Sequence, residues 1–121
     1  MFASSASAET LITCHKPKGQ RYAQGSGWFS DGFSNGKFSL IRNGKEFDIL
    51  FTDFSGTRSA RSDGAVVIVS EKTTDAMTVI AAYPRALETY LFDFFQREML
   101  MTSMKISTGV KTAAVFFSKC E

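Results

Sequence analysis

The two cysteines are the residues of this chain whose type and spacing point most directly to a chemical bond. Cys14 and Cys120 are the only cysteines, and they lie near opposite ends of the sequence. Each falls in a run of β type, and pairing of the two runs as edge or closing strands would bring the sulfurs within bonding reach. We therefore predict a disulfide rather than two unrelated thiols. Because disulfides persist in oxidising compartments, the pair also predicts a periplasmic or secreted location.

The first residues give a second indication of export. Positions 6–8 read Ala-Ser-Ala, which fits the A-x-A pattern that precedes a signal-peptidase cleavage site. The charged and apolar parts of a signal peptide are missing, because only Met1 and Phe2 come before the small-residue run. Residues 1–8 are therefore interpreted as the remnant of an export signal or as a disordered tail, and 9–121 as a single β domain.

The remaining reactive residues do not indicate catalysis or metal binding. His15 is the single histidine, and two cysteines with one histidine make a poor set of metal ligands. Ser34 and Lys37 have the spacing of the S-x-x-K motif of serine enzymes, but the intervening Asn35-Gly36 predicts a turn instead of the helix start that this motif needs. We expect no enzymatic activity, no cofactor and no metal site.

Four aromatic and basic residues form the candidate binding surface. Trp28 lies in a Gly/Ser-rich stretch, where an aromatic side chain often contacts a ligand or partner, and Tyr22 lies close before it. Arg58 and Arg61 lie in a polar segment, where a mobile loop could offer them to an anion or an acidic partner. The alternatives are a tryptophan that plugs one end of a barrel and arginines that are ordinary solvated charges.

The elements that position these residues are predicted to be β-strands. The pair Asn43-Gly44 indicates a two-residue hairpin turn, which pairs Leu40 with Phe47 and Phe38 with Ile49. In that register all four apolar side chains share one face of a half-buried hairpin.

Residues 86–95 are compatible with two structures. Apolar residues recur there at helical spacing, and a helix near 85–96 would make the protein α+β. Aromatic residues also alternate as in a strand, and a tight turn at Gln96-Arg97 would pair Phe94 with Met99. We favour the strand, because the flanking segments are all of β type.

Further β-type segments complete the predicted architecture. The segment from Gly56 to Asp63 is polar and is predicted to be a loop or a ragged edge. Roughly seven to nine short strands with hairpin-length connections predict an all-β fold, an antiparallel up-and-down barrel or sandwich. The other predicted strands are 65–69, 77–83, 97–106 and 112–117.

Size and composition limit the function classes. A chain of 121 residues corresponds to one domain, and its net charge of +2 does not indicate nucleic-acid binding. No apolar run reaches the roughly 18 residues that a membrane-spanning helix needs. We predict an exported, non-enzymatic β-barrel of the binding, interaction or accessory type, of which an inhibitor is one form. Its partner would be another exported protein, and the chain would be a monomer or a small homo-oligomer.

An alternative function uses the inside of the same barrel. A small barrel can hold one apolar ligand or be filled by its own side chains. Because the chain has 12 phenylalanines, we expect a filled interior, but a carrier remains the second hypothesis and an enzyme the least favoured. The predicted lining of the carrier consists of Phe38, Leu40, Phe47, Ile49, Phe92 and Met101.

Overall fold

The computed structural model describes residues 8–121, and their regular structure is entirely β. The all-β prediction is confirmed, although the strands number ten and exceed the predicted range. The predicted export remnant at 1–8 lies outside the described residues, apart from Ala8. The strands are β1 Glu9–Ala23, β2 Gly27–Gly32, β3 Lys37–Asn43, β4 Glu46–Asp53, β5 Gly56–Ser59, β6 Val66–Lys72, β7 Ala76–Tyr83, β8 Ala86–Asp93, β9 Glu98–Ser107 and β10 Val110–Cys120.

The strands form one antiparallel sheet that curls towards a barrel. Its order is β5-β4-β3-β1-β10-β9-β8-β7-β6, with β2 paired to β1 beside this path. Consecutive strands are mostly neighbours, as in a meander. The curl brings β4, the second strand from one edge, close to β6, the strand at the other edge. Curling covers sheet edges that would otherwise be open to pairing with another chain.

The long strand β1 changes its partner halfway along one edge. Its first half pairs with β3, and its second half pairs with β2. The change occurs at Lys16, whose φ is 50°, and at Pro17, which has no N–H to donate to a ladder. The Lys16 amide instead donates to the Gly36 carbonyl at 2.8 Å, and the Pro17 carbonyl accepts from Phe33 at 2.9 Å. The bend therefore ties the β2–β3 connection to β1.

The predicted disulfide is confirmed. Cys14 and Cys120 are direct partners in the β1–β10 ladder, and their sulfurs are 2.04 Å apart. The first and last strands are paired as expected, but they lie in the middle of the sheet order rather than at an edge or a closing seam. The bridge thus joins the two halves of the sheet at its centre.

The predicted hairpin is present, but its register was wrong by two residues. Leu40 pairs with Ile49 and Phe38 with Phe51, so the turn residues are Gly44 and Lys45. Gly44 has a φ of 66°, whereas Lys45 is not among the residues with positive φ. A positive φ at the first central position alone is typical of a type II′ turn with glycine there. Since two residues is one side-chain period, the apolar residues stay on the predicted face.

Residues 86–93 form the strand β8, so the helix considered near 85–96 is wrong. The pairing with β9 is again displaced by two residues, because Phe92 and not Phe94 lies opposite Met99. The turn is longer than predicted and passes through Arg97, whose φ is 57°. The predicted polar segment 56–63 contains a short edge strand, β5.

The concave side of the sheet has a filled end and an open end. Side chains around the disulfide are packed without access to solvent, so the interior is solid there as predicted. Leu40 and Phe92, two residues of the predicted carrier lining, belong to this filled end and have no exposed surface. The largest residues packed there are Ile12, Leu40, Met77, Phe92 and Met99.

Candidate ligand-binding cleft

A row of four cross-strand neighbours lies at the other end of the concave side. The register places Glu88, Ser103, Ala114 and Arg21 side by side across β8, β9, β10 and β1. Ser103 and Ala114 are buried and short, and they separate a carboxylate from a guanidinium. Arg21, Ser103 and Glu88 of this row line a cleft.

The cleft has a volume of about 720 Å³, within the range typical of small-molecule sites. Its opposite wall is formed by β4, β5 and the turn after β5, which the curl of the sheet brings across from β8 and β9. The lining of the whole cleft has an aromatic layer next to the filled end and a polar layer near the mouth. The aromatic layer contains Phe33, Phe38, Phe51, Tyr90 and Phe116, and the polar layer contains Arg21, Arg58, Asp63, Arg85, Glu88 and Lys105.

The aromatic layer is a contiguous cluster of rings. The ring of Phe33 lies 5.6 Å from that of Phe38, 5.5 Å from Phe51 and 5.0 Å from Phe116. Centroid separations in this range are favourable for aromatic pairs. Phe33 reaches this position from the β2–β3 connection, where a Cβ on Gly36 would lie 2.9 Å from both Phe33 and Phe51. Glycine at 36 therefore allows the cluster to close.

Arg21 is the best-oriented cation of the polar layer. Its Nε donates to the Asp31 carboxylate at 2.6 Å, and its guanidinium lies 5.7 Å from the centre of the Phe116 ring. The hydrogen bond from Arg21 is the largest cause that lowers the pKa of Asp31 below its usual value. The Arg21 side chain is only 19% exposed, so its position is defined on several sides.

A second polar group of the cleft lining consists of Glu88, Tyr83 and Tyr90. The Tyr90 hydroxyl donates to the Glu88 carboxylate at 2.6 Å. Burial is the main cause that raises the pKa of Glu88, while the Tyr90 hydrogen bond and the charge of Lys105 oppose the rise. Burial, followed by the negative charge of Glu88, also raises the pKa of Tyr83 to about 12. Glu88 is therefore a carboxylate held at some cost in a poorly hydrated place.

The four predicted surface residues do not form one site. Arg58 lines the cleft, where its guanidinium lies 5.7 Å from the Phe51 ring centre. Tyr22 and Trp28 lie on the opposite, convex side of the sheet, with ring centres 5.4 Å apart. Trp28 is 62% exposed and does not cover the end of the barrel. The structure thus separates the two aromatic residues from Arg58.

Arg61 lies at the seam, the place where β4 and β6 approach each other. Its Nε donates to the Phe47 carbonyl of β4 at 2.9 Å, and a terminal nitrogen donates to the Val67 carbonyl of β6 at 3.2 Å. Its amide also donates to the Asp48 carboxylate at 3.1 Å. The side chain therefore bridges two strands that share no ladder and is held in place, unlike the mobile-loop residue that the sequence suggested.

Tyr22 and Trp28 belong to an apolar row across the convex face. Ladder partners continue from Trp28 on β2 to Val66 on β6, so the row crosses seven strands and contains no charged residue. Five of its members are at least 37% exposed. The row consists of Trp28, Tyr22, Ala113, Met104, Leu87, Ala82 and Val66.

Sequence reasoning missed most of the polar layer. One signal was available for Glu88, because the alternation that puts Tyr90 and Phe92 on the buried face of β8 puts this carboxylate there as well. A charged residue on a buried face needs a partner or a function. The same alternation in β9 places Lys105 on the face of Met99 and Met101. No comparable signal existed for Arg21, and the convergence of these charges depends on how the sheet curls.

Residues 8–121 contain no group of three or more potential metal ligands and no helix that could span a membrane. Comparison of the chain with protein-family models, with curated proteins and with solved structures finds no match.

Proposed function

We propose that this protein is an exported, non-enzymatic binding protein that holds a small, partly apolar ligand in the cleft. The observation that carries the proposal is the cleft of about 720 Å³, with its cluster of aromatic rings beneath a polar layer. Most small-molecule sites combine an apolar lining with a few polar groups that orient the ligand. The disulfide supports an exported location, because such bonds persist in oxidising compartments.

The concave side has a filled end beside an open end, and this arrangement supports binding in a preformed site. The filled end and the central disulfide constrain the sheet beside the cleft, and the short side chain of Ser103 lines the open space. A barrel with only a structural role gains stability from larger apolar residues at such positions. This site differs from the carrier lining predicted from the sequence, since only Phe38, Ile49 and Met101 of that set line the cleft.

Native mass spectrometry and a fluorescence titration test the proposal. Freshly purified protein should carry a small adduct, or should bind the neutral apolar probe N-phenyl-1-naphthylamine at one site. Ser103→Phe places a ring in the cleft and should abolish probe binding. Thr102→Phe is the matched control, because this neighbouring side chain is exposed on the convex face. Ala86→Phe provides a second block in the same wall if Ser103→Phe lowers the unfolding midpoint.

Two results would argue against this function. One is the absence of both an adduct and a saturable probe signal in the folded, disulfide-bonded protein. The other is probe binding that survives both blocking variants, which would place the probe outside the cleft.

A second candidate function is interaction with another exported protein through the convex face. The uncharged apolar row that contains Tyr22 and Trp28 favours it, because contiguous exposed apolar surface often marks an interaction site. A purified partner should bind the wild-type protein and should lose binding to Trp28→Asp and Met104→Asp. The cleft variant Ser103→Phe is the control and should still bind. If Trp28→Asp and Met104→Asp bind the partner as well as the wild type does, the convex face is not the interaction site.

A further inference from the structure

We propose that the cleft selects amphipathic anions, molecules with an apolar body and one carboxylate, sulfonate or phosphate head group. This inference rests on the proposed function, and it adds the chemical class of the ligand. The body would contact the aromatic layer, and the head group would lie in the polar layer at the mouth.

The charge of the lining favours an anion. Four cationic side chains, Arg21, Arg58, Arg85 and Lys105, line the cleft with two acidic ones, and a third carboxylate, Asp31, is paired with Arg21. Within residues 8–121, Arg21 is the only one of these four cations that forms a salt bridge. Arg58, Arg85 and Lys105 therefore have no carboxylate of the described part of the chain within ion-pair distance. A clustered excess of one sign in a cleft attracts ligands of the opposite sign.

Arg21 provides a preorganised contact for the head group. Its Nε is engaged by Asp31, and its two terminal nitrogens make no hydrogen bond to any of residues 8–121. A guanidinium fixed on one side and free on the other can bind an oxyanion without losing much side-chain freedom. Lys105 is close enough to influence the pKa values of both Asp31 and Glu88, so it lies near the same region.

The aromatic layer explains why a simple inorganic anion would not satisfy the site. The guanidinium of Arg21 lies 5.7 Å from the ring centre of Phe116, and that of Arg58 lies 5.7 Å from the ring centre of Phe51. The Phe33 ring packs against both of these rings. A ligand that places its head group on the arginines therefore has its body over apolar rings. Burial of that body adds affinity in proportion to its apolar area.

The negative charge of Glu88 weakens the preference of the cleft for anions. Its carboxylate lies in the same cross-strand row as Arg21, separated by Ser103 and Ala114. Its negative charge opposes an incoming anion, so removal of the charge should improve binding of anions alone. Glu88→Gln keeps an oxygen that can accept the Tyr90 hydrogen bond.

A matched series of ten-carbon ligands tests the inference. Decanoate, decanol and decylammonium share one apolar body, and each would displace N-phenyl-1-naphthylamine from the disulfide-bonded protein. We expect decanoate to bind about ten-fold or more tightly than decanol, because charge-assisted hydrogen bonds distinguish the two heads. Decylammonium should bind weakest. Decanol binding as tightly as decanoate, or decylammonium binding tightest, would overturn the anion preference while the proposed function stands. Failure of the probe and of all three ligands to bind would instead refute the proposed function.

Charge variants test whether the cations of the cleft cause the preference for anions. The double variant Arg58→Gln/Lys105→Gln removes two exposed cations that form no salt bridge with any of residues 8–121, so the fold should be retained. It should bring the affinity for decanoate to within about two-fold of the affinity for decanol. Lys111→Gln, an exposed charge outside the cleft, is the control and should change neither value. Glu88→Gln should tighten decanoate about three-fold or more. An unchanged decanoate-to-decanol ratio in the double variant would overturn the assignment.

Discussion

Reduction of the central disulfide should remove a large part of the stability of this protein. Cys14 and Cys120 are separated by 106 residues, so the bond closes nearly the whole described chain into one loop. The chain-entropy relation gives about 4.8 kcal/mol for a loop of this length at 25 °C. Typical domains have unfolding free energies of about 5–15 kcal/mol. The reduced protein is therefore expected to be marginally folded or unfolded.

The comparison of oxidised and reduced wild-type protein isolates the covalent bond, because all side chains are retained. Urea denaturation followed by circular dichroism should show a loss of about 4–5 kcal/mol on reduction. With an unfolding entropy of about 2.1 cal/mol/K per residue, this loss corresponds to a decrease of about 19 °C in Tm. The m-value should rise, since the reduced unfolded chain is more expanded. Cys14→Ala/Cys120→Ala should reproduce the reduced state without a reductant.

The reasoning assumes that the bond acts mainly on the unfolded chain. A loss below about 1 kcal/mol with an unchanged m-value would refute it, since the unfolded ends would then be close together without the bond. Thiol titration of the denatured, unreduced protein is the control, and free thiols there would show that the starting material was not bridged.

Three further predictions concern single side chains. In the urea assay, Gly19→Ala should lower the unfolding free energy by more than about 3 kcal/mol, because a Cβ there would lie 1.7 Å from the Val115 carbonyl oxygen. Gln20→Ala, at an exposed neighbouring position, is the control and should lower it by less than about 0.5 kcal/mol. Arg61→Ala should cost about 1–2 kcal/mol through the two lost seam hydrogen bonds, and a cost equal to that of a surface substitution would contradict the seam role. The pKa of Asp31 is lowered in the folded state, so the Asp31 carboxylate stabilises the fold above its unfolded pKa, and this stabilisation is lost as pH falls through its folded pKa. The difference in unfolding free energy between wild type and Asp31→Asn should therefore shrink from about pH 6 to pH 2.

The sequence determined which face each strand buries, but not the pairing register. In the β3–β4 hairpin, Phe38 and Leu40 were placed correctly on the inner face while their partners were displaced by two residues. The β8–β9 turn shows the same displacement around Phe92. A shift of one residue would expose every apolar side chain, so the pattern excludes it. A shift of two preserves the faces, and only the turn geometry and the neighbouring strands decide between the two registers.

The disulfide could be deduced from the sequence because the chain has only one possible cysteine pair. The cleft could not be deduced in the same way. Arg21 and Glu88 are far apart in sequence, and they share a row only because β1 and β8 are linked through β10 and β9. Local sequence thus determined strand type, buried faces and the covalent link, because these depend on side-chain chemistry and alternation. The tertiary structure decided which charges converge and where space remains, because both depend on the curl of the whole sheet.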